Sequence, residues 1–473
     1  MADIINVFER DLIQMLKLFR KNKAFCKADK LTGDLPIEKN FSPKGIYLSV
    51  SETCVSVGEE VGIGSLVGKN SDGASVCSGI SGKISEIKKI SDSKYGVKIE
   101  NDLAKRQGEY LRPFGEENNI RVTDITPEML ISVMKKASVK TRGHQISAND
   151  RTVFQRVEDS FGKARQIVIN CVGGEPYDSS FKRIMLENAS DVINGMKLVM
   201  AVMKIGEGVL LLDSESSECA NKLSSMLAKK DNIKVVLADM AYPTDNEHNV
   251  IYTLTSIEIS RQRSAERVGC VVFDLHEILA VARAFIYGEV ETCEIITVSG
   301  DALLKPMNLK VPYGTKISEI ADYCGVNKDI DVKIIAGGVL RGKEVGTEDV
   351  FEVGMSPLVI LNAKKIPSFN GVRCMRCGSC MRACPMLLMP MYLSLSGFSG
   401  VKAFGKMFDI SACTECGVCQ YVCPAGIPIL KNIRRMKDTL LPDTADKNDK
   451  TAENKPEKEE NSEKSQDVGG DKQ

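Results

Sequence analysis

Eight cysteines in the C-terminal third of the chain have a spacing that suits iron–sulfur chemistry. The first run reads Cys374-Met-Arg-Cys377-Gly-Ser-Cys380-Met-Arg-Ala-Cys384-Pro385, and the second reads Cys413-Thr-Glu-Cys416-Gly-Val-Cys419-Gln-Tyr-Val-Cys423-Pro424. Both follow the bacterial ferredoxin pattern of three closely spaced cysteines, a fourth cysteine and a proline. The first three wrap one turn of backbone around a cubane, whereas the fourth ligates the other cluster of the pair. The spacing therefore predicts two [4Fe–4S] clusters.

This pattern assigns a ligand set to each cluster. Cluster 1 takes Cys374, Cys377, Cys380 and Cys423, and cluster 2 takes Cys413, Cys416, Cys419 and Cys384. Zinc sites usually use separated Cys-x2-Cys pairs, and disulfides need an oxidising compartment that nothing in the sequence indicates. The other eight cysteines are scattered, as is typical of buried free thiols in a reducing cytoplasm.

Length and composition set the broad class. The chain has 473 residues, enough for two to four domains, and its 63 basic residues balance its 63 acidic ones. With no basic surplus and no Trp, nucleic acid is excluded as an expected partner. Neither a signal peptide nor a membrane span is visible in the sequence. We therefore expect a cytoplasmic protein that reaches a membrane only through partners, as a peripheral protein on the inner face of the cell membrane.

The elements that position these cysteines are predicted to form a multi-domain protein of α/β plus α+β class. Apolar strands at 166–170, 208–213, 234–238 and 268–273 alternate with amphipathic helices. This alternation indicates a mostly parallel sheet with ligands at the carboxyl ends of its strands.

Composition and periodicity divide the rest of the chain. The predicted units are an amphipathic N-terminal helix at 1–24, a small β-hybrid (barrel-sandwich) domain at 28–110, the parallel α/β domain at 120–290, a β-grasp (SLBB-like) domain at 291–362, the bacterial-ferredoxin-type two-cluster domain at 366–440 and a disordered tail at 441–473.

The order of these units resembles the RnfC family, the C subunit of the Rnf ion-translocating ferredoxin:NAD oxidoreductase complex, and less closely the NADH-binding subunit of complex I. The resemblance covers roughly residues 28–437. Local segments carry it best: Leu31-Thr-Gly-Asp-Leu-Pro36, Asn170-Cys-Val-Gly-Gly-Glu175-Pro176-Tyr177, Thr297-Val-Ser-Gly300-Asp301 and the paired cysteine runs.

The resemblance implies a subunit of an anaerobe's NADH dehydrogenase. In that family FMN takes a hydride from NADH and passes single electrons to the clusters, or the reverse. Its expected partners are ferredoxin or other Rnf-type subunits. The positions that the resemblance assigns to FMN and NAD(H) are Gly143, Glu175 and Tyr177.

The sequence departs from the family at three segments of the nucleotide site. The family's Gly-x-Gly-Gly-Ala-Gly-Phe-Pro loop matches residues 137–150, where only Gly143 survives. The Tyr-Pro-x-Gly-Gly-x-Lys segment reads Tyr242-Pro243-Thr-Asp-Asn-Glu247-His248 here, and Asn-Val-Gly-Thr reads Asp274-Leu275-His276-Glu277. Side chains in place of glycines put bulk where backbone should approach a phosphate.

Two hypotheses follow. In the first, FMN and NAD(H) still bind, with Arg142 pairing a phosphate and Glu175 with Tyr177 holding the nucleotide. In the second, the nucleotide site is vestigial and the chain is a flavin-free one-electron adaptor that feeds an anaerobic reductase. The substitutions favour the second.

Basic residues flank the cysteine runs. They either dock an acidic ferredoxin-like partner or balance the negative charge of the clusters, and the sequence leaves both open. They are Arg373, Arg376, Arg382, Arg434, Arg435 and Lys437.

Overall fold

The structure of the chain is a computed structural model. It describes residues 31–108, 124–142, 151–240, 242–244, 246–259, 265–366, 369–371 and 373–440, and the backbone alone of residues 4–6.

Strands contribute most of the N-terminal and central units. In chain order they are β1 Ile4–Asn6, β2 Ile37–Glu38, β3 Gly45–Val50, β4 Glu52–Thr53, β5 Glu60–Val61, β6 Leu66–Lys69, β7 Ser75–Cys77, β8 Gly82–Ser91, β9 Lys94–Asn101, β10 Gln166–Asn170, β11 Glu207–Asp213, β12 Ile233–Ala238, β13 Cys270–Asp274, β14 Cys293–Ser299, β15 Met307–Pro312, β16 Val332–Ala336, β17 Lys343–Val345 and β18 Leu358–Asn362.

Helices surround the central sheet and make up most of the C-terminal unit. They are α1 Pro127–Lys136, α2 Val153–Ser160, α3 Ser180–Glu187, α4 Ala189–Met203, α5 Ser217–Met226, α6 Glu247–Thr255, α7 Leu275–Tyr287, α8 Ile317–Tyr323, α9 Ser379–Arg382, α10 Pro390–Ser399, α11 Lys402–Met407, α12 Val418–Tyr421 and α13 Ile429–Leu440.

A parallel sheet lies at the centre of the α/β unit, in the order β1-β12-β11-β10-β13. The four apolar strands that the sequence predicts are confirmed as β10 to β13. Buried side chains cover both faces of this sheet, which explains why its strands read as continuous apolar runs. Two helices of this unit, α3 and α4, are separated by the single residue Asn188.

The strand order reverses between β10 and β13. Chain order runs outward from β10 through β11 to β12, and β13 then pairs on the other side of β10, with Asn170 opposite Asp274. In an open parallel sheet, the crevice at such a reversal is where ligands bind. We call this crevice, at the carboxyl ends of β10 and β13, the nucleotide crevice, because it is where such a fold would hold the nucleotide that the sequence resemblance implies.

The N-terminal helix prediction is wrong for the residues that can be checked. Ile4–Asn6 forms β1, which pairs in parallel with β12 at the sheet edge. A strand needs only extended backbone beside an open edge, so an apolar start that also fits helical spacing pairs there instead. The remainder of the predicted helix, and the predicted disordered tail, lie outside the described residues.

Two β-rich units share one hydrophobic core. Residues 45–101 form a four-stranded and a three-stranded antiparallel sheet, and residues 293–362 form most of a six-stranded mixed sheet. Buried Ile46 and Val97 from the first unit belong to the same core as Leu309 and Phe351 from the second. These two units, which the sequence separates by the α/β unit, therefore pack as one body.

The C-terminal unit packs helices around the cysteine runs. Helices α10 and α11 lie between the two runs in the chain, and α13 packs against α10. Its core combines Leu393, Ile433 and Met436 with the cysteines themselves. Such a small unit has little apolar surface to bury, so bound clusters contribute to holding it together.

Candidate iron–sulfur centres and nucleotide crevice

The two cysteine runs have the same local geometry. The backbone N–H of Arg376 donates to Cys374 Sγ at 3.4 Å, and that of Glu415 donates to Cys413 Sγ at 3.4 Å. A short helix, α9 or α12, begins two residues after the second cysteine of each run. Backbone N–H groups aimed at sulfur favour the thiolate form that iron requires.

Four cysteines from both runs lie together at the predicted cluster 1. Burial raises the pKa of the Cys380 thiol, and the nearby thiols of Cys374, Cys423 and Cys377 raise it further. Cys423 belongs to the second run, so this group crosses the runs. It contains the four residues that the sequence pattern assigns to cluster 1.

The other four cysteines line one cavity at the predicted cluster 2. The cavity measures about 360 Å³ with its open mouth included, and its lining contains Cys384, Cys413, Cys416 and Cys419 together with apolar residues. Burial raises the pKa of Cys416 to about 12, and the thiols of Cys413 and Cys384 raise it further. Four thiols around a mostly apolar cavity suit a cubane, which needs soft ligands and exclusion of water.

Neither thiol group forms a recognisable site for a single metal ion in the described part of the chain. Within the ranges that the structure describes, no three His, Cys, Asp or Glu side chains converge as a single metal ion would require. Thiolates around a cubane stand farther apart than those around one ion, because the iron and sulfide atoms of the cluster lie between them.

The two centres differ in exposure. Cys374 and Cys377 are exposed at the predicted cluster 1, whereas Cys384, Cys416 and Cys419 are buried at the predicted cluster 2. Arg373 is also exposed. One centre therefore faces solvent, and the other faces the protein interior.

Most of the flanking basic residues divide in the same way. The three beside the first run, Arg373, Arg376 and Arg382, are exposed, and Arg435 of α13 is exposed as well. Arg434 Nε instead donates to Glu415 at 2.7 Å, and Lys437 Nζ reaches Glu415 at 3.1 Å and the Cys413 carbonyl oxygen at 2.6 Å.

This second group also sets the charge of Glu415. Burial opposes ionisation of that carboxyl, but Lys437 and Arg434 outweigh it and lower the pKa of Glu415. Arg434 and Lys437 thus balance buried charge beside cluster 2, while the three exposed arginines lie where a partner could dock.

The nucleotide crevice contains charged side chains of the chain itself. Asp274 accepts from the His276 N–H at 2.8 Å and caps the N-terminus of α7. Glu277, fully buried, accepts from the backbone N–H of Arg142 at 2.7 Å and pairs with Arg156. A helix N-terminus attracts anions, and here two carboxylates already occupy it. They would repel a phosphate and do not fit a flavin nucleotide.

Arg142 and Gly143 are the next two residues that the sequence predicts to contact a nucleotide. The Arg142 side chain is buried and ion-paired with Glu291, and Arg142 Nη2 also donates to the Tyr313 hydroxyl. Nη2 therefore already has protein partners, whereas the buried Nε and Nη1 of the same guanidinium have none in the structure. Gly143, the surviving glycine of the family loop, lies outside the described residues.

Glu175 is turned towards the β unit of residues 293–362. Its carboxylate accepts from Arg341 Nε at 2.7 Å, from the Leu340 N–H at 3.1 Å and from the Tyr242 hydroxyl at 2.6 Å. Tyr177 lies two residues further on with a left-handed backbone, at φ 72°. Both residues stay predictions as nucleotide contacts, but the carboxylate of Glu175 already has three donors.

Sequence reasoning missed the partners of these residues. Arg341 carried no signal, because it lies between two glycine-rich turns without a motif. Tyr242 was identified only as part of a degenerate segment, yet its hydroxyl lies 2.8 Å from the carbonyl oxygen of Cys416. The one available clue was that Glu175 matches the family and that Tyr242 persists in a segment whose glycines have changed.

Two family models match the chain. The Nuo51 FMN-binding domain matches residues 152–283, and the 4Fe-4S dicluster domain matches residues 373–427. The second contains all eight cysteines of the two runs. The sheet, the crossed cysteine groups and these matches define an iron–sulfur electron-transfer protein with two [4Fe–4S] clusters.

Curated relatives identify the kind of protein more closely. Over 397 residues the chain is 26% identical to the C subunit of the proton-translocating ferredoxin:NAD(+) oxidoreductase complex of Clostridium ljungdahlii, covering 81% of this chain and 85% of that one. Over 329 residues it is 24% identical to the C subunit of the ion-translocating oxidoreductase complex of Buchnera aphidicola, covering 68% of each. The chain is thus similar, at low identity, to the C subunits of Rnf complexes.

Among solved structures, one chain of the NAD+-reducing [NiFe]-hydrogenase in its H2-reduced state is similar, with a TM-score of 0.46 and 12% identity. The match covers 70% of this chain and 66% of that one. Of the helices that the structure describes, none has the length and apolar character to cross a bilayer.

Proposed function

We propose that the chain relays single electrons through two [4Fe–4S] clusters between protein partners. The ligands are Cys374, Cys377, Cys380 and Cys423 for cluster 1, and Cys413, Cys416, Cys419 and Cys384 for cluster 2. The observation that carries this proposal is the crossing of the runs: Cys384 lines a cavity with three cysteines of the second run. Cys380 of cluster 1 packs against the same core as Cys419 of cluster 2, which supports a short path from one cluster to the other.

The different exposure of the two clusters supports cluster 1 as the one that meets a partner. Cluster 1 has exposed Cys374 and Cys377 and three exposed arginines around it, so it is the port for a partner with an acidic docking face. Cluster 2 lies against the α/β unit. The relatives are named as subunits of complexes, so we expect Rnf-type subunits, a ferredoxin or an anaerobic reductase as partners. The chain would then be peripheral to a membrane complex on its cytoplasmic side.

A specific observation favours the flavin-free adaptor over an NADH dehydrogenase. Asp274 and Glu277 occupy the helix N-terminus in the crevice, and Arg142 and Arg156 are already paired with carboxylates. We therefore propose that FMN and NAD(H) are not cofactors of this chain, and that its electrons come from a protein partner.

We also propose a fold for each of the two β-rich units. The two antiparallel sheets of residues 45–101 support a barrel-sandwich hybrid domain within 28–110. The mixed sheet, together with α8 between β15 and β16 in the chain, supports a β-grasp, SLBB-like domain within 291–362.

The ligand assignment is tested by single Cys→Ser variants of the anaerobically purified chain. We expect about eight irons per wild-type chain, because each cubane holds four. Cys423→Ser should leave the same electron paramagnetic resonance (EPR) spectrum as Cys374→Ser, and Cys384→Ser the same as Cys413→Ser. The buried Cys324, remote in sequence from both runs, is the matched control and should keep all its iron on substitution by Ser. If Cys423→Ser instead resembles Cys413→Ser, each run holds its own cluster and the crossed assignment is wrong.

The same preparation tests the flavin-free proposal. Released flavin should be absent, and NADH should leave the visible absorbance of the clusters unchanged while dithionite bleaches it. Stoichiometric FMN with bleaching by NADH would overturn the adaptor in favour of a working dehydrogenase.

A further inference from the structure

Glu175, from a segment that matches the family, and Tyr242, from one of the degenerate segments, meet at the predicted cluster 2. The Tyr242 hydroxyl lies 2.6 Å from Glu175 Oε1 and 2.8 Å from the carbonyl oxygen of Cys416. Its single proton thus faces two acceptors, a carboxylate and the backbone of a predicted cluster ligand. Tyr242 and Glu175 come from loops of the α/β unit, so this contact joins that unit to the cluster unit.

A buried cation completes the junction. The Arg341 side chain is 2% exposed, donates to Glu175 at 2.7 Å and lies 5.2 Å from the centre of the Tyr242 ring. Because the Tyr242 hydroxyl contacts the backbone of Cys416, this cation lies one side chain away from a predicted cluster ligand. The next residue before it, Leu340, donates its N–H to Glu175 at 3.1 Å. Glu175 therefore fixes both the tyrosine and the cation beside cluster 2.

Cluster 1 has a weaker counterpart at the matching position. The carbonyl oxygen of Cys377 accepts from Arg382 Nη1 at 3.1 Å, but both residues are exposed. Water competes for such a hydrogen bond and screens the charge, whereas the junction at Cys416 is buried. The two clusters have similar ligand loops and different surroundings.

We propose that Tyr242, held by Glu175 and Arg341, is a positioning residue that raises the reduction potential of cluster 2 relative to cluster 1. A reduced cluster carries one more negative charge than an oxidised one. A hydrogen bond donated to its ligand backbone and a buried cation nearby stabilise the reduced state more than the oxidised state, and hydrogen bonding and burial are known determinants of cluster potential. This inference rests on the proposed two-cluster relay.

Glu175 acts with the opposite sign. Its carboxylate is a negative charge near cluster 2 and competes for the Tyr242 proton. Glu175→Gln keeps the shape and removes the charge, so the positive charge of Arg341 acts more strongly on the cluster and the tyrosine proton can turn to Cys416. The two neighbouring substitutions therefore should move the potential of cluster 2 in opposite directions.

The test is a mediator-controlled redox titration of the full chain, followed by EPR, in which Cys374→Ser and Cys416→Ser variants assign the two signals. Tyr242→Phe should shift the midpoint of cluster 2 to lower potential and leave cluster 1 unchanged. Glu175→Gln should shift cluster 2 to higher potential. Tyr287→Phe, which removes an exposed hydroxyl hydrogen bond to Asp191, is the matched control and should shift neither.

The outcomes separate this inference from the relay itself. A wild-type chain without two reducible clusters overturns the relay and the inference with it. Two normal clusters with no shift in Tyr242→Phe, or equal shifts of both clusters, overturn the tuning role alone. Shifts of the same sign in Tyr242→Phe and Glu175→Gln indicate general loosening of the junction and also overturn it. If Glu175→Gln does not fold, Tyr242→Phe decides the question, because phenylalanine keeps the ring and the Glu175–Arg341 pair.

Discussion

Glu277→Gln tests whether the nucleotide crevice is closed by an internal ion pair. Glu277 is 0% exposed, pairs with Arg156 and accepts the backbone N–H groups of Arg142 and Asp274. Glutamine keeps the shape and one acceptor, but its NH2 group must face a donor. The Arg156 guanidinium, 8% exposed, then stays buried without its counterion.

The cost follows from two independent estimates. Removing one partner of a buried ion pair costs about 3–5 kcal/mol, because the other charge remains desolvated. The Coulomb attraction that is lost, at an effective dielectric constant of about 20 and a separation of about 4 Å, is about 4 kcal/mol. We therefore expect Glu277→Gln to lower the free energy of unfolding of the α/β unit by about 3–5 kcal/mol.

The assay is urea unfolding followed by far-UV circular dichroism, with hydrogen exchange of peptides from α7 as the local probe. Glu289→Gln changes an exposed glutamate just beyond α7 and should have no measurable effect. Adding Arg156→Met to Glu277→Gln should recover at least half of the loss, because no unpaired charge remains. If Glu277→Gln stays within about 1 kcal/mol of the wild type, far below the cost of breaking a buried pair, the crevice is open, and the hypothesis of a flavin site regains support.

Two further predictions concern pH and the cluster loops. Burial disfavours the charged His276 ring, but its hydrogen bond with Asp274 outweighs this and raises the pKa of His276 above its usual value. The stabilising contribution of the charged ring is therefore complete below a pH of about 6.5 and is lost as pH rises through the raised pKa. The difference in urea midpoint between wild type and His276→Gln should shrink between about pH 6 and about pH 9. A difference that grows with pH would contradict this. Gly417 has φ 77°, and an added Cβ would lie 1.9 Å from the Leu340 carbonyl oxygen, whereas Gly378, at φ 74° in the other run, would meet only the flexible end of a side chain at 3.1 Å. Gly417→Ala should therefore lower both the melting temperature and the iron content more than Gly378→Ala does. Gly378→Ala carries only the left-handed backbone strain of about 1–2 kcal/mol. Equal losses in the two variants would show that the contact with Leu340 is unimportant.

Local patterns were enough to locate most of the elements. The strand at 166–170 was predicted at the bounds that the structure shows, since it is a short apolar run in a sheet covered on both faces. The sequence did not reveal that the two β units share a core, nor that residues 4–6 complete the edge of the parallel sheet. Both are pairings between segments far apart in the chain, which no local periodicity records.

The sequence by itself determined the cluster chemistry. Two complete Cys-x2-Cys-x2-Cys-x3-Cys-Pro runs specify two [4Fe–4S] clusters, because the ligand geometry of a cubane is set over a few consecutive residues. The tertiary structure alone decided what surrounds them. Glu277 meets Arg156 across 121 positions, and Tyr242 meets Cys416 across 174. Such contacts depend on how the whole chain closes, and buried charges interact strongly because no water screens them.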